Sequence, residues 1–416
     1  MGTVDLFLNF LQKRYNFYMK QTQKTWQGSS TKRRNSAFFL FIFLGMLTAF
    51  APFVTDMYLP SLPAMTQYFG VSVSMVQLGL TFSMLGLAVG QIVFGPLSDK
   101  YGRRPPLLTS MALYLLATAG CIFAPNIRLF ILMRLVQGMA AAGGIVISRS
   151  IATDKFKGRN LATALAVVGA INGIAPVAAP VIGGSVLKVT SWRGVFGVLF
   201  VLGIAVLASC LHFKESLSAK RRTKQKLMKS LTLFKPLFSN RRYLFYTLQM
   251  GFAQALLFAY IAASPFIIQQ HYGFSPFAFS LFFAANAVAI GTGAASSVKF
   301  KRLETCILTS CIGMLVCSVA VLCALQSGAS IVLFESLLFI MLLAMGLTFT
   351  AATTLAMNAE RSRAGTASAL FGAVCFLFGG LASPLVGLGD ILLPTGITFT
   401  VCALLSLTCG LIALKK

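Results

Sequence analysis

The sequence predicts an all-α membrane protein whose twelve transmembrane helices form two six-helix bundles. Three observations carry this prediction: the apolar composition, the spacing of the apolar stretches and the placement of the basic residues. Of the 416 residues, 57% are hydrophobic and 11% are charged, whereas an ordinary soluble domain is about 45–50% apolar and about 25% charged. Because so few charges could not cover a soluble surface of this length, the composition argues against a soluble enzyme.

Twelve stretches are long and apolar enough to cross a bilayer, since about 20 helical residues span about 30 Å of hydrocarbon. The predicted spans are 37–57, 75–97, 106–124, 129–152, 160–183, 194–213, 243–268, 277–298, 304–325, 331–357, 365–388 and 393–413. This spacing predicts an N-terminal segment 1–36, a first bundle 37–213, a basic linker 214–242 and a second bundle 243–416.

The charge is lopsided, with 35 Lys and Arg against 9 Asp and Glu and a formal net charge of +26. A nucleic-acid binder and a membrane protein with one basic face both fit that total. Thirty-one of the basic residues lie in the tails and alternate loops on one side, against Arg128, Lys188 and Arg193 on the other. We therefore expect a monomer in the cytoplasmic (inner) membrane with both termini cytoplasmic, in contact with the lipid bilayer and with no nucleic-acid partner.

Candidate catalytic and metal-binding groups are missing from the sequence pattern. The nine cysteines fall in predicted spans without a CxxC pair, and the two histidines, His212 and His271, lie at span ends in different halves. We interpret the cysteines as small packing residues. Since no paired acids and no Ser/His pattern occur at membrane depth, the sequence predicts no enzyme, no catalytic residue, no metal and no cofactor.

The loop after span two reads GPLSDKYGRR over residues 95–104. Asp99 there is flanked by cations, and pairing with them would tie spans two and three together. The loop resembles the signature G-x-L-x-D-r-x-G-R-R of the major facilitator superfamily, with Lys100 where Arg is usual. In that family the loop is a cytoplasmic latch that stabilises the outward-facing state. The resemblance implies that the gating latch consists of Gly95, Asp99, Gly102, Arg103 and Arg104, together with Asp154 at the end of span four.

Span four contains an arginine, Arg134, within the string RLVQG. A guanidinium inside a membrane helix costs roughly 2.5–3.5 kcal/mol on insertion scales, so it should face the bundle interior and find a partner. A purely structural ion pair is the alternative. The pattern R-x-x-Q-G resembles the family's motif for proton-coupled members.

Span one ends with the string TDMYLP, in which Asp56 is the best candidate for a carboxylate that lines a cavity. A carboxylate that is partly desolvated and close to Arg134 can load and release a proton. A helix-end cap is the alternative role. The sequence thus predicts that Asp56 and Arg134 carry proton coupling.

Span five carries small residues and prolines at steps of three or four along one helical face. They are Gly169, Gly173, Pro176, Pro180 and Gly184. Such a face lets another backbone approach closely, and the prolines permit a bend. Helix packing alone would explain the glycines, but it explains the two prolines less well. The stretch resembles the antiporter motif of exporters in the superfamily, and this favours export.

The string TDMYLPSLP at 55–63 narrows the resemblance to drug:proton antiporters of the bicyclomycin/chloramphenicol-resistance type. The resemblance runs from about residue 38 to about residue 410 and is weaker in the second half, where the loop 297–302 lacks the signature's Gly and Asp. Some multidrug relatives carry a second acid where this chain has Thr48. The resemblance implies efflux of small lipophilic molecules by alternating access, with protons as the coupling ion.

Polar and aromatic residues within the spans are candidates for the substrate cavity, although each is also a common packing residue. They are Tyr58, Gln137 and Asn172 in the first half and Gln254, Phe258, Tyr260 and Asn286 in the second. Two other functions stay open at this point: a proton-coupled uptake symporter for a small nutrient, and a non-transporting membrane receptor.

Overall fold

Twelve long helices make up the described part of the chain. A computed structural model describes residues 35–223, 235–360 and 364–414, and all regular structure within them is helical. The helices are α1 Ala37–Asp56, α2 Val73–Tyr101, α3 Arg104–Ile122, α4 Ile127–Lys155, α5 Gly158–Val186, α6 Trp192–His212, α7 Arg241–Phe266, α8 Pro276–Ser296, α9 Leu303–Gln326, α10 Ile331–Ala359, α11 Ala364–Ala382 and α12 Leu392–Leu414.

The predicted fold class is confirmed, because the long helices coincide with the predicted spans. Eleven helices in the described part of the chain are long and apolar enough to cross a membrane, and α5 contributes the shorter apolar stretch Gly173–Val186. Residues 1–34, most of the predicted N-terminal segment, lie outside the described residues, as do 224–234 of the predicted linker.

Several helices begin earlier than their apolar stretches because a polar side chain caps them. Asn126 accepts a hydrogen bond from the backbone N–H of Leu129, so α4 starts at Ile127, two residues before the predicted boundary. Ser72 caps α2 in the same way by accepting from Met75. Such caps satisfy backbone donors that the first helical turn leaves free.

Span one continues past its predicted end. After Asp56 the chain turns through a short 3-10 helix, Leu59–Ser61, into an eight-residue helix, Leu62–Phe69. Pro60 lies in the first turn of the 3-10 helix, where its missing N–H costs no hydrogen bond. Asp56 therefore lies at a break between two helical segments rather than inside one.

Glycines allow the same close helix contact in both halves of the chain. A Cβ at Gly138 of α4 would strike the Ser83 carbonyl of α2, and one at Gly346 of α10 would strike the Ile290 carbonyl of α8. Small residues at such crossings let two backbones approach closely. Helices α1–α6 and α7–α12 nonetheless pack as one compact unit over Phe38–Lys416, so the division into two bundles at the stated boundaries stays a prediction.

Among the described residues, hydrogen bonds between the two halves lie at the end of the molecule opposite the α2–α3 loop. They run from Gln77 Nε2 to Ala262 O (3.1 Å), from Gln269 Nε2 to Pro60 O (3.0 Å), from Ser280 Oγ to Pro180 O (2.8 Å) and from Ser74 Oγ to Pro384 O (3.1 Å). We call this end the closed end and the other end the latch end.

Candidate functional site

Arg134 is fully buried at the junction of α1, α2 and α4. Its Nη1 donates to the Val54 carbonyl (3.0 Å) and to Gln137 Oε1, and its Nε donates to the Gly79 carbonyl (3.4 Å). The planar guanidinium suits this arrangement because it offers five donors in a fixed fork. Arg134 thus links α4 to the last turn of α1 through its hydrogen bond to the Val54 carbonyl.

Aromatic rings enclose the guanidinium. The Tyr58 ring centroid lies 4.3 Å from Arg134 Cζ, and the Phe196 centroid lies 5.7 Å from it. Phe196 in turn packs edge-on against Phe130 with centroids 5.5 Å apart. A cation close to ring faces in a water-poor setting gains electrostatic energy from them. The surroundings of Arg134 are therefore aromatic and carbonyl-rich, and Nη2 stays buried without a hydrogen-bond partner.

Asp56 lies close to this site in the chain but forms no ion pair with Arg134. The ion pairs of the described residues join Arg103 to Asp99, and Arg103 and Arg221 to Asp154. Asp56 is 5% exposed at the C-terminal end of α1, two residues beyond the Val54 carbonyl that Arg134 contacts. The structural ion pair considered for Arg134 is therefore absent from the described chain, and any influence of Arg134 on Asp56 acts through space or through the end of α1.

The other first-half cavity candidates have different surroundings. Gln137 is fully buried, and its amide donates to Thr118 Oγ1 (2.8 Å) while its carbonyl accepts from Arg134. It therefore positions Arg134 within the first half. Tyr58 is also fully buried, against Arg134. The side chain of Asn172 lies outside the described residues.

Arg103 is the centre of the latch predicted in the α2–α3 loop. Its Nε donates to Asp154 Oδ2 (2.9 Å), and its Nη1 donates to Ser98 Oγ (2.9 Å) and to Asp99 Oδ1. Burial by itself would lower the pKa of Arg103, but the hydrogen bonds and charges of Asp154 and Asp99 raise it above the usual value. The Arg103 guanidinium therefore keeps its positive charge and ties the end of α2 to the end of α4.

The remaining latch residues are placed less centrally. Gly102 has φ of +96° and ψ of 168°, a conformation open essentially to glycine alone. Arg104 donates through Nη2 to the Leu211 carbonyl at the end of α6 (2.8 Å). A Cβ at Gly95 would make only ordinary van der Waals contact, with Val146 at 3.6 Å.

Glu215, at the start of the linker, is a latch residue that sequence reasoning missed. Its carboxylate accepts hydrogen bonds from the backbone N–H groups of Arg103 (2.9 Å), Arg104 (3.0 Å) and Leu217 (2.9 Å). It therefore satisfies donors at the N-terminal end of α3, where a negative charge is also favoured by the helix dipole. The only sequence signal was a lone acid in a strongly basic segment.

The first ten residues of the predicted linker dock onto the latch. Arg221 Nη2 donates to Asp154 Oδ1 (2.9 Å), Ser216 Oγ donates to Asp154 Oδ2 (3.1 Å), and the Thr223 N–H donates to the Asp99 carbonyl (2.9 Å). Polar groups at the ends of α2 and α4 therefore bind this portion of the chain, and the linker boundaries 214–242 stay a prediction. The described latch partners all belong to α1–α6 or to this segment.

The small-residue face of α5 contacts the second half at the closed end. Pro180 supplies the carbonyl that accepts from Ser280, and a Cβ at Gly184 would strike the Ser280 hydroxyl. A Cβ at Gly183 would strike the Met57 carbonyl next to Asp56. These residues bring α5 against both α1 and α8.

Other residues predicted for that face are placed differently. Gly173 is exposed, and a Cβ there would meet nothing within 4 Å. Pro176 is half-buried. The surroundings of Gly169 lie outside what the structure describes. Among the described residues of α5, the close backbone approach lies in the Pro180–Gly184 portion.

Tyr260 and Asn286, predicted for the cavity, belong to a buried polar cluster with an acid that the sequence did not single out. Asn286 Nδ2 donates to Glu335 Oε2 (2.9 Å) and to Tyr260 Oη (3.2 Å). Glu335 lies four residues inside α10, within a strongly apolar stretch. That position was the one available signal, since an acid inside a membrane helix is rare.

Two further candidates from the second half lie elsewhere on α7. Phe258 packs toward α11, its ring centroid 6.4 Å from that of Phe376. Gln254 is half-buried, and its Oε1 has no hydrogen-bond partner. The described residues contain no group of three His, Cys, Asp or Glu side chains that could hold a metal ion.

Comparisons with known proteins agree with the arrangement of helices and motifs. A sequence model of the Major Facilitator Superfamily matches residues 42–384. A Bacillus subtilis protein named "Uncharacterized MFS-type transporter YdgK" is 36% identical over 357 residues, covering 83% of this chain and 88% of that protein. A Haemophilus influenzae protein named "Bicyclomycin resistance protein homolog" is 30% identical over 62% of this chain and 65% of its own length.

Solved structures share the fold. A bacterial homologue of the human lysosomal transporter Spinster, in an inward-facing and unoccupied conformation, superimposes with a TM-score of 0.73. The match covers 92% of this chain and 99% of that chain at 17% sequence identity. At that identity the likeness concerns the path of the helices and not the ligand.

Proposed function

Because the chain belongs to the major facilitator superfamily, we propose that this multi-pass membrane transporter exports small lipophilic, drug-like molecules in exchange for protons. The observation that carries the proposal is the buried Arg134 site at the end of α1, next to Asp56. The likeness to a bicyclomycin resistance protein homologue supports a drug-like substrate. The family consists of transporters and not of enzymes, so we propose a mechanism of binding and conformational change alone.

The positions of the cross-half hydrogen bonds support an inward-facing conformation. Placing the basic loops in the cytoplasm puts the latch end inside and the closed end outside. The contact of Gln269 with Pro60 then seals the outer side just beyond Asp56. We place the protein as a monomer in the cytoplasmic membrane with both termini inside.

Proton exchange at Asp56 would couple to the break that follows α1. When the closed end opens, the Gln269–Pro60 and Ser280–Pro180 contacts separate and water reaches Asp56 from outside. Asp56 takes a proton there and releases it on the cytoplasmic side. One proton crossing supplies roughly 2.3 kcal/mol per 100 mV of membrane potential.

Arg134 is positioned to transmit the charge state of Asp56. It holds the Val54 carbonyl at the end of α1 and the Gly79 carbonyl of α2 at the same time. A negative Asp56 attracts the guanidinium, whereas a protonated Asp56 leaves it to the carbonyls. Substrate binding would be antagonistic to proton binding if each favours a different arrangement of these helices, which is coupling in the thermodynamic sense.

The test is transport by purified protein in liposomes with an imposed pH gradient, using ethidium as a cationic probe and chloramphenicol as a neutral one. We expect Asp56→Asn to abolish gradient-driven export of both probes. Asp390→Asn is the matched control, because Asp390 is an exposed acid in the loop before α12. Export by Asp56→Asn at the wild-type rate would contradict the proposed role of Asp56.

The same liposomes separate the alternative functions. Accumulation of a small nutrient with an inward proton gradient would favour an uptake symporter. No proton-linked flux of any solute would favour a membrane receptor. The docked latch supports transport, because a fixed display protein has no need of a charge network that ties α2, α4 and the linker together.

A further inference from the structure

We propose that Glu335 is a second proton-exchanging carboxylate, located in the second half of the chain and held by Asn286 and Tyr260. The proposal deepens proton coupling and rests on the proposed function for its role in transport. The exchange itself needs only that the O–H bond of a carboxylic acid breaks and that its proton passes to water.

Glu335 is held at the meeting point of three helices. Its Oε2 accepts a hydrogen bond from Asn286 of α8 at 2.9 Å, and the same amide donates to the hydroxyl of Tyr260 on α7 at 3.2 Å. Asn286 is 1% exposed and Tyr260 is 2% exposed. The Tyr260 ring is stacked on Phe283 with centroids 5.7 Å apart, so the cluster has an apolar wall.

The second carboxyl oxygen of this side chain is unpaired. Glu335 Oε1 is buried and has no hydrogen-bond partner. Among the described residues, no Lys, Arg or His nitrogen lies within 4.0 Å of the carboxyl group. An ionised carboxylate buried without a compensating cation costs far more free energy than the neutral acid does. A proton on the carboxyl group is the simplest way to meet this cost.

The helices around Glu335 offer no compensating charge. Helix α8 contains no charged residue, and neither does α11. The charged residues of α7 are Arg241 and Arg242, at its latch end, and the acid of α9 is Glu304, also at the latch end.

The titratable side chains with which Glu335 interacts electrostatically are tyrosines. They are Tyr260 and Tyr272, which lies just beyond α7. His271 is exposed, and its ring lies against Tyr272 with centroids 4.7 Å apart. In contrast to Asp56, which has Arg134 nearby, Glu335 has no guanidinium to hold it ionised.

The position of Glu335 explains when it would exchange its proton. It lies one helical turn from the start of α10, at the closed end of the molecule. Opening of that end admits water to the cluster and lets the carboxyl group exchange with the outside. Closure, as in the conformation described here, seals the protonated group against α8.

The other acids of the described chain are engaged elsewhere or exposed, and the exposed ones are Glu304 in the first turn of α9 and Asp390 in the loop before α12. Asp99, Asp154 and Glu215 serve the latch, and Glu360 accepts a hydrogen bond from Asn240 (2.7 Å). Asp56 and Glu335 are therefore the two carboxylates placed to exchange protons within membrane helices, one in each half.

The first test is infrared difference spectroscopy of the purified full chain across a pH titration. We expect a protonated carboxyl band that persists in Asp56→Asn and in the control Glu304→Gln but disappears in Glu335→Gln. Glu335→Asp should keep a band at a shifted frequency, which shows that loss of the band is not loss of the fold. A band unchanged in Glu335→Gln would overturn the proposal.

The second test compares two modes of transport in liposomes. Exchange of internal for external chloramphenicol needs no net proton movement, whereas export driven by a pH gradient does. We expect Glu335→Gln to lower driven export at least about tenfold while exchange stays within about twofold, a difference in the usual range of coupling free energies. Equal driven export by the variant and the wild type would also overturn the proposal.

Two further outcomes are informative. Loss of ethidium export with chloramphenicol export still driven by the gradient would show that Glu335 binds the cationic substrate, and the proton proposal would be wrong. If the wild type exports neither probe while the Glu335 band titrates, the proposed drug export fails and the proton site stands.

Discussion

Gly102 offers a sharp test of the latch, since its backbone conformation and its neighbour both exclude a side chain. Its φ is +96°, and a Cβ built there would lie 2.6 Å from Glu215 Oε2 and 2.9 Å from Arg222 Nη2. Gly102→Ala therefore imposes backbone strain and also pushes the Glu215 carboxylate away from the N-terminal end of α3.

The two costs can be added from the structure. A non-glycine residue in this backbone region costs about 1–3 kcal/mol. Loss of a helix cap costs about 1 kcal/mol. We expect Gly102→Ala to lower the free energy of unfolding by about 2–4 kcal/mol in total.

The assay is denaturant unfolding of the purified protein in detergent micelles, with driven export measured in parallel. Gly273→Ala is the matched control, because Gly273 also has positive φ (+75°) but a Cβ there would meet nothing within 4 Å. That control should lower the free energy of unfolding by only about 1–2 kcal/mol, the energy that an L-residue loses in a left-handed backbone conformation. Glu215→Ala supplies the second arm of a double-mutant cycle.

In the Glu215→Ala background the contact with Glu215 is already gone, so the cost of Gly102→Ala should fall to its strain component. If Gly102→Ala costs no more than Gly273→Ala, or if its cost is the same with and without Glu215, the contact between the linker and the latch does not stabilise the protein.

Two other variants test the helix contacts and the charge of the latch. Gly183→Ala should lower the free energy of unfolding by about 1–3 kcal/mol, because its Cβ would strike the Met57 carbonyl. The control Gly173→Ala should be near neutral, because a Cβ there would meet nothing within 4 Å. Equal shifts in melting temperature for the two variants would contradict the α1–α5 contact. Asp154 and Asp99 raise the pKa of Arg103, so its contribution is present at every pH below its usual pKa and is lost only as the pH rises through the raised value. The stability difference between wild type and Arg103→Gln should therefore stay constant from about pH 7 to about pH 10, and a decline over that range would refute it.

The spans and the latch motif were predictable from sequence because their causes are local. About 20 consecutive apolar residues decide whether a helix enters the bilayer, whatever its neighbours are. The loop around Asp99 and Gly102 is a contiguous string whose glycine and charges imply a tight, paired turn. Even so, the helix ends moved by a few residues where a cap such as Asn126 extended the helix.

The partners of the buried charges were not predictable in the same way. Arg134 was expected to find a partner, and the structure places backbone carbonyls and Gln137 around it in place of a carboxylate. Glu215 reaches the start of α3 across 111 positions of sequence, and Asn286 reaches Glu335 across 49. No local pattern encodes contacts of this kind.

The sequence by itself predicted that this chain crosses the membrane many times, that its basic residues fall on alternate loops, and which loop carries the string GPLSDKYGRR. Those properties are sums over neighbouring residues, and transfer free energies and glycine conformations act within a single segment. The tertiary structure alone decided that Arg134 holds the end of α1, that the start of the linker binds the latch, and that the Oε1 atom of Glu335 is buried without a hydrogen-bond partner. Each of these contacts depends on how separate helices cross. Rotating one helix about its own axis would bring different side chains to the crossing and so change the contacting residues.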